Sequence, residues 1–65
     1  MKYYAVRKVF SPKGITAEII EERECEVIPN GSFHEEGDDH IYIDWFDSLE
    51  EAEATVKKLE WLDRA

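Results

Sequence analysis

The segment His40-Ile41-Tyr42-Ile43-Asp44-Trp45-Phe46-Asp47-Ser48-Leu49-Glu50-Glu51 constrains this chain more than any other. Ile41, Ile43 and Trp45 alternate with Tyr42, Asp44 and Phe46, the period-2 pattern of a strand with one face on a core. Ser48 stands three residues before Glu51, the spacing of a capping box in which hydroxyl and carboxylate each satisfy an orphan backbone N–H. A strand therefore runs over residues 40–46 and a helix starts at Leu49.

That helix is expected to reach about Leu62. Leu49, Ala52, Val56 and Leu59 fall on one stripe at helical spacing, and Leu62 extends it. Glu53 with Lys57, and Glu60 with Arg64, form i,i+4 pairs in the favoured order. Acids crowd the first turn and bases the later ones, which complements the helix dipole. Trp61 leaves the stripe and projects from the opposite side, near Ala54.

At the other end, Lys2 to Phe10 is rich in aromatic and β-branched residues and reads as a strand. Its two faces are nearly tied, Tyr3, Ala5 and Val9 against Tyr4, Val6 and Phe10, so it should be covered in part on both sides. Ser11-Pro12-Lys13-Gly14 is a turn, proline presetting φ and glycine admitting φ > 0. A second strand then starts at Ile15 and pairs back as a hairpin. Its end is ambiguous. As a strand, Ile15, Ala17, Ile19, Cys25 and Val27 share a face that Glu21 and Arg23 interrupt. As a helix, Ala17, Ile19, Ile20, Val27 and Ile28 spread over half the circumference, and Glu21-Glu22-Arg23-Glu24 has helix propensity. A long or bulged strand is preferred, because the hairpin commits the residues near Ile15 to a sheet. Residues 32–39, with four acids and Phe33 as the one large apolar side chain, read as a mobile loop.

The expected fold is one α+β domain over residues 1–65. A three-stranded, mainly antiparallel sheet (2–10, 15–22 with a possible extension to 28, and 40–46) carries the C-terminal helix on one face. Val6, Ile19, Ile43, Trp45, Ala52, Val56 and Leu59 form its core. A chain of 65 residues buries only roughly 60% of its unfolded surface, which leaves little room for an enclosed active site.

Cys25 is the single cysteine, so no internal disulfide forms and the thiol reads as a small half-buried apolar group. The first residues lack the apolar core of a signal peptide, and no run approaches the ~20 apolar residues of a membrane span. A cytoplasmic protein without a membrane partner is expected. The net charge of −8 is unevenly spread: +4 over residues 1–17, −13 over 18–53 and +1 over 54–65. Such a balance opposes attraction to phosphate backbones and anionic membranes.

Chemistry-bearing motifs are scarce. His34-Glu35-Glu36-Gly37-Asp38-Asp39-His40 has metal-ligand residue types but neither zinc spacing nor the ordered positions of a calcium loop, so it reads as a solvated acidic loop. No nucleophile–base ordering or phosphate loop is present, so neither catalytic residues nor a cofactor are assigned. Asp44 faces away from Ile41, Ile43 and Trp45, towards solvent or a partner such as Arg7 or Lys8. Glu22, Glu24 and Glu26 would stand ~6.6–6.8 Å apart on one strand face. Such a row keeps an edge strand soluble, or imitates a nucleic-acid backbone. Trp61 is a residue type enriched at binding hot spots, and near a chain end it also folds back on sheet edges.

Two resemblances follow from these residues. Lys2-Tyr3-Tyr4-Ala5-Val6-Arg7-Lys8 resembles the first strand of the small RNA–DNA hybrid-binding domain at the N-terminus of some ribonucleases H. Phe46-Asp47-Ser48-Leu49-Glu50-Glu51-Ala52-Glu53-Ala54 resembles that domain's last strand-to-helix junction. Together they span under half the chain, and Glu22 stands where that family has a tryptophan, three residues before Cys25. Hybrid binding is therefore not carried over. His40 to Val56 is also similar to short uncharacterised bacterial proteins, some borne by phage or mobile elements, that share the Asp-Trp-Phe-Asp-Ser junction.

The functional expectation is a non-enzymatic, acidic protein-binding module, an accessory protein of a phage or mobile element, acting as a monomer or weak homodimer. Its interaction residues would be Trp61, Glu22, Glu24 and Glu26. One alternative is nucleic-acid binding through Lys2, Arg7 and Lys8 with Tyr3 and Tyr4. The other is an acidic nucleic-acid mimic that occupies a DNA-binding protein.

Overall fold

The turn at Pro12-Lys13 folds Lys2–Ser11 (β1) back on Gly14–Glu24 (β2) as an antiparallel hairpin. The computed structural model describes residues 1–64. Gly14 adopts φ +143°, which favours glycine, and a Cβ there would meet Asp63 Oδ1 at 2.5 Å and displace that carboxylate. The same carboxylate oxygen accepts the Ile15 N–H at 2.7 Å, which ties the far end of the chain to the hairpin.

A bulge divides β2. Val6 pairs with Ile19 and Ala5 with Glu21, so Ile20 has no partner on β1. One extra residue reverses the facing of all that follows. Ile15, Ala17 and Ile19 share a face with Phe10, Lys8 and Val6, whereas Glu21 and Arg23 lie on the opposite face with Ala5 and Tyr3. The two charges that interrupted the apolar row are thereby carried to the other side. β2 ends at Glu24, and no helix forms over residues 17–28.

The sheet has four strands, not three. Residues 32–39, expected as a mobile loop, instead supply Ser32–Glu36 (β3) and the first residue of Asp39–Phe46 (β4), in the order β2-β1-β4-β3, antiparallel throughout. Two local features outweigh the loop-like composition. Gly37, at φ +59°, and Asp38 make a two-residue turn with glycine at the first central position, the type II′ arrangement that suits a hairpin. Phe33 packs on Tyr42 with ring centroids 4.7 Å apart and stacks on His40 at 6.2 Å, which anchors a strand otherwise made of polar residues. An edge strand needs no apolar alternation, so its acids remain in water.

Leu49–Arg64 forms the helix α1. Its start is capped as the sequence indicates: Ser48 Oγ accepts the Glu51 N–H at 3.3 Å and Ser48 O accepts the Ala52 N–H at 3.1 Å. α1 lies chiefly over β2, with lesser contact to β1 and β4. A helix is about 10 Å across and four strands span about 14 Å between outer axes, so one helix leaves part of the sheet uncovered.

The core departs from expectation in lying on both faces of the sheet, since Tyr3, Ala5 and Ile41 are buried as well as Val6. Val6 and Ala52 are fully buried between sheet and helix, and Val56 and Leu59 are half-buried there. Ile19 sits at the margin, 36% exposed. It lines a shallow pocket with Glu53, Val56, Lys57 and Glu60 of α1, so α1 covers the face of Val6 and Ile19. Ile43 and Trp45, which pair with Arg7 and Ala5, lie on the other. Alternation shows which residues share a face, not which face the helix takes. The helix follows Val6, Ala17 and Ile19, and Ile41, Ile43 and Trp45 are left opposite.

Candidate interaction surfaces

Strand register builds the open face of the sheet. Tyr3, Ala5 and Val9 of β1 and Ile41, Ile43 and Trp45 of β4 form an apolar stripe two strands wide, broken only by Arg7. β2 contributes Thr16, Glu18, Glu21 and Arg23 along one side, and β3 contributes Ser32 and His34 along the other. The stripe is therefore apolar at its centre and polar at both rims. Although no element covers it, Tyr3 and Ile41 are only 7% and 8% exposed and Ala5 is fully buried. Arg23 explains part of this shielding: its guanidinium reaches across β1 from β2 to lie 4.9 Å from the centre of the Trp45 ring. Glu21 holds that guanidinium at 2.6 Å, and Arg7 pairs with Glu18 on the same face.

The helix-side face has a second surface, where β4 and β3 extend beyond α1. Phe10 meets Tyr42 edge-on at 5.6 Å, and Phe33 and His40 continue the group towards the sheet edge. Lys8 Nζ stands 5.8 Å from the Tyr42 ring centre and pairs with Asp44, which does point away from Ile43 and Trp45 as the alternation implies. Phe33 remains 51% exposed. Sequence reading passed over this group because Phe10, Phe33, His40 and Tyr42 come from three strands, one of them unrecognised. Beyond it, a cleft of about 480 Å³ opens between the two hairpin turns, lined by Ser11, Pro12, Lys13, Glu36, Asp38 and Asp39.

The residues singled out from the sequence are not brought together. Glu22 and Glu24 occupy alternate positions near the end of β2, with Glu22 Oε1 3.5 Å from Lys2 Nζ, but Glu26 lies past the strand, so the row of three is not formed. Trp61 is 68% exposed on the outer side of α1, close to the Gly14 end of β2 that Asp63 clamps and remote from Glu24. The basic residues of β1 divide between faces, and each has a carboxylate partner: Lys2 with Glu22, Arg7 with Glu18, Lys8 with Asp44.

His34 and His40 do not converge. His40 pairs with Glu35 across the hairpin, 3.6 Å from Nδ1 to the carboxylate, which puts His34 on the opposite face. Among the described residues no group of three or more His, Cys, Asp or Glu side chains is arranged to hold a metal ion. Cys25 is half-buried, and its backbone extends the hairpin by exchanging two hydrogen bonds with Met1, at 3.0 and 3.2 Å. Among the described residues no helix is long and apolar enough to cross a membrane. No family model matches this chain, and no curated protein or solved structure matches it.

Proposed function

We propose that this chain is a non-enzymatic protein-binding module, that the open face of its sheet is the docking surface, and that a second copy of the chain is the occupant. The half-buried Val9, Ile43 and Trp45, seated on the buried Tyr3, Ala5 and Ile41 between polar rims, carry this reading. An antiparallel sheet with one solvated face ordinarily alternates apolar and polar residues. Here β1 and β4 carry large apolar side chains on both faces, and the helix covers only one. An apolar centre inside a polar rim is the anatomy of protein interfaces.

Charge favours a second copy. The net charge of −8 makes most of the surface repel another copy, but on the open face Arg7 is balanced by Glu18 and Arg23 by Glu21. Two open faces would stack as sheet on sheet, about 10 Å apart, related by a two-fold axis. The non-enzymatic part rests on the sequence, which carries no nucleophile–base ordering and no phosphate loop.

The nucleic-acid reading has less support, because the cations of β1 are paired and split between faces. The mimic reading has less too, because Lys2 offsets Glu22 and Glu26 is off the strand. Service to a phage or mobile element rests on the resemblance alone. Sedimentation velocity over a concentration series tests the proposal on the wild type, Ile43→Lys and Trp61→Ala. The wild type should associate as concentration rises, Ile43→Lys should stay monomeric with an unchanged circular dichroism spectrum, and Trp61→Ala should behave as wild type. Association that survives Ile43→Lys, or that disappears with Trp61→Ala, would overturn the choice of surface. A wild type that is monomeric throughout would remove the second copy as occupant.

A further inference from the structure

The two edges of the sheet are not equivalent. β2 is interrupted by the bulge at Ile20, and Asp63 occupies the Ile15 N–H at its start. β3 carries no such obstruction, and all five of its residues, Ser32 to Glu36, are exposed. Glu36 and Asp39 flank the two-residue turn, so Glu36, His34 and Ser32 direct their backbone groups at β4. Phe33 and Glu35 therefore turn their N–H and C=O groups outward, and an incoming strand could use both.

Side chains beside that edge say what such a strand would carry. On the helix-side face the half-exposed Phe33 ring, backed by Tyr42 and His40, offers apolar contact. Glu35 stands two residues further along the same face, and Glu36, Asp38 and Asp39 surround the turn. We infer that the β3 edge is a docking site for an extended segment of another protein that alternates apolar residues with lysine or arginine, adding to the sheet as a fifth strand. Backbone hydrogen bonds at Phe33 and Glu35 hold it, and its apolar side chains lie on the helix-side face with Phe33. Glu36, on the opposite face with the turn acids Asp38 and Asp39 beside it, selects its cations. A second copy is the wrong occupant here. Pairing β3 antiparallel with its own copy sets Glu35 beside Phe33 and Glu36 beside Ser32, which offers neither carboxylate a cation. The net charge of −8 on each copy also opposes association. The site is separate from the open face and does not depend on its use.

The probe is the blocked peptide acetyl-Lys-Val-Lys-Val-Lys-Val-Lys-amide, compared with its all-Glu counterpart and with a version N-methylated at alternate residues on its pairing edge. Amide exchange and chemical shifts of the isotope-labelled full chain are followed at low salt. The lysine peptide should slow exchange at the Phe33 and Glu35 amides and shift the Phe33 and Tyr42 ring signals, while the other two peptides should do neither. The double variant Glu36→Lys/Asp38→Lys, altered only at exposed positions, should bind the lysine peptide about tenfold more weakly and accept the glutamate peptide instead. No protection of β3 by the lysine peptide overturns the inference. Equal binding of the N-methylated peptide also overturns it, because the contact would then be charge without strand addition. Protection of Phe33 and Glu35 that grows with protein concentration alone would assign the edge to a second copy, and would overturn it as well.

Discussion

The Arg23 guanidinium lies 4.9 Å from the centre of the Trp45 ring, although the two residues sit on strands that flank β1 and never pair. The contact spans the middle strand above Ala5, which it helps to bury completely. It exists because the bulge at Ile20 carries Arg23 onto the open face. Exposed cation–π contacts contribute about 0.5–1 kcal/mol, and the arginine stem adds apolar cover. Arg23→Ala should therefore lower the melting temperature modestly and shift Trp45 emission to the red, measured in a Trp61→Phe background. Arg23→Lys should restore part of both. Unchanged emission would mean that the ring is not covered by Arg23.

Gly14 and Asp63 form a second long-range pair with an unusual coupling. Gly14→Ala introduces strain at φ +143° and a clash with the Asp63 carboxylate, and should cost about 1–3 kcal/mol. Asp63→Ala loses one exposed hydrogen bond to Ile15, about 0.5–1.5 kcal/mol. In the double variant the clash has no partner, so the combined loss in chemical denaturation should fall below the sum of the two. Simple additivity would show that the helix end does not rest on the hairpin.

Gly37 separates backbone conformation from packing, because a Cβ there meets nothing within 4 Å while φ is +59°. Gly37→Ala and Gly37→Asn should each cost about 1 kcal/mol, because the first central position of this turn favours glycine. Equal stability of all three proteins by thermal melting would contradict the turn.

Phe33 anchors β3, so Phe33→Ala should release that strand while the β1–β2 hairpin persists. Hydrogen exchange should accelerate at the amides of β3 that pair with β4, namely Ser32, His34 and Glu36, and stay slow at Val6. By contrast, Val6→Ala opens a cavity beneath the helix and should destabilise the whole domain, by about 1–3 kcal/mol. Uniform loss of protection in Phe33→Ala would mean that β3 is integral to the core.

The first hairpin, the β4–α1 junction and the helix stripe were legible because each depends on local periodicity, a cap or a turn. β3 was not, since Ser32-Phe33-His34-Glu35-Glu36 has neither β-branched residues nor alternation, and only Gly37-Asp38 hinted at a hairpin. The candidate surface was half legible. Ile41, Ile43 and Trp45 were recognised as one face on a core, and Ile41 is buried, but that α1 packs on the other face was not legible, because Val6 opposite is equally apolar and only the tertiary position of α1 decides. The bulge at Ile20 was legible as an interruption at Glu21 and Arg23 but not as its cause. Glu22, Glu24 and Glu26 formed a row on paper that the strand end at Glu24 dissolves.

A dilution series of amide and indole spectra on the isotope-labelled chain shows whether the stripe opposite the helix is an interface. Signals of Val9, Ile41, Ile43 and the Trp45 indole should move together with concentration, those of Trp61 and of Ala52 beneath the helix should not, and Ile43→Lys should freeze the whole set at its dilute positions. Concentration-independent signals at Val9, Ile41, Ile43 and Trp45, or movement centred on Trp61 instead, would contradict the account.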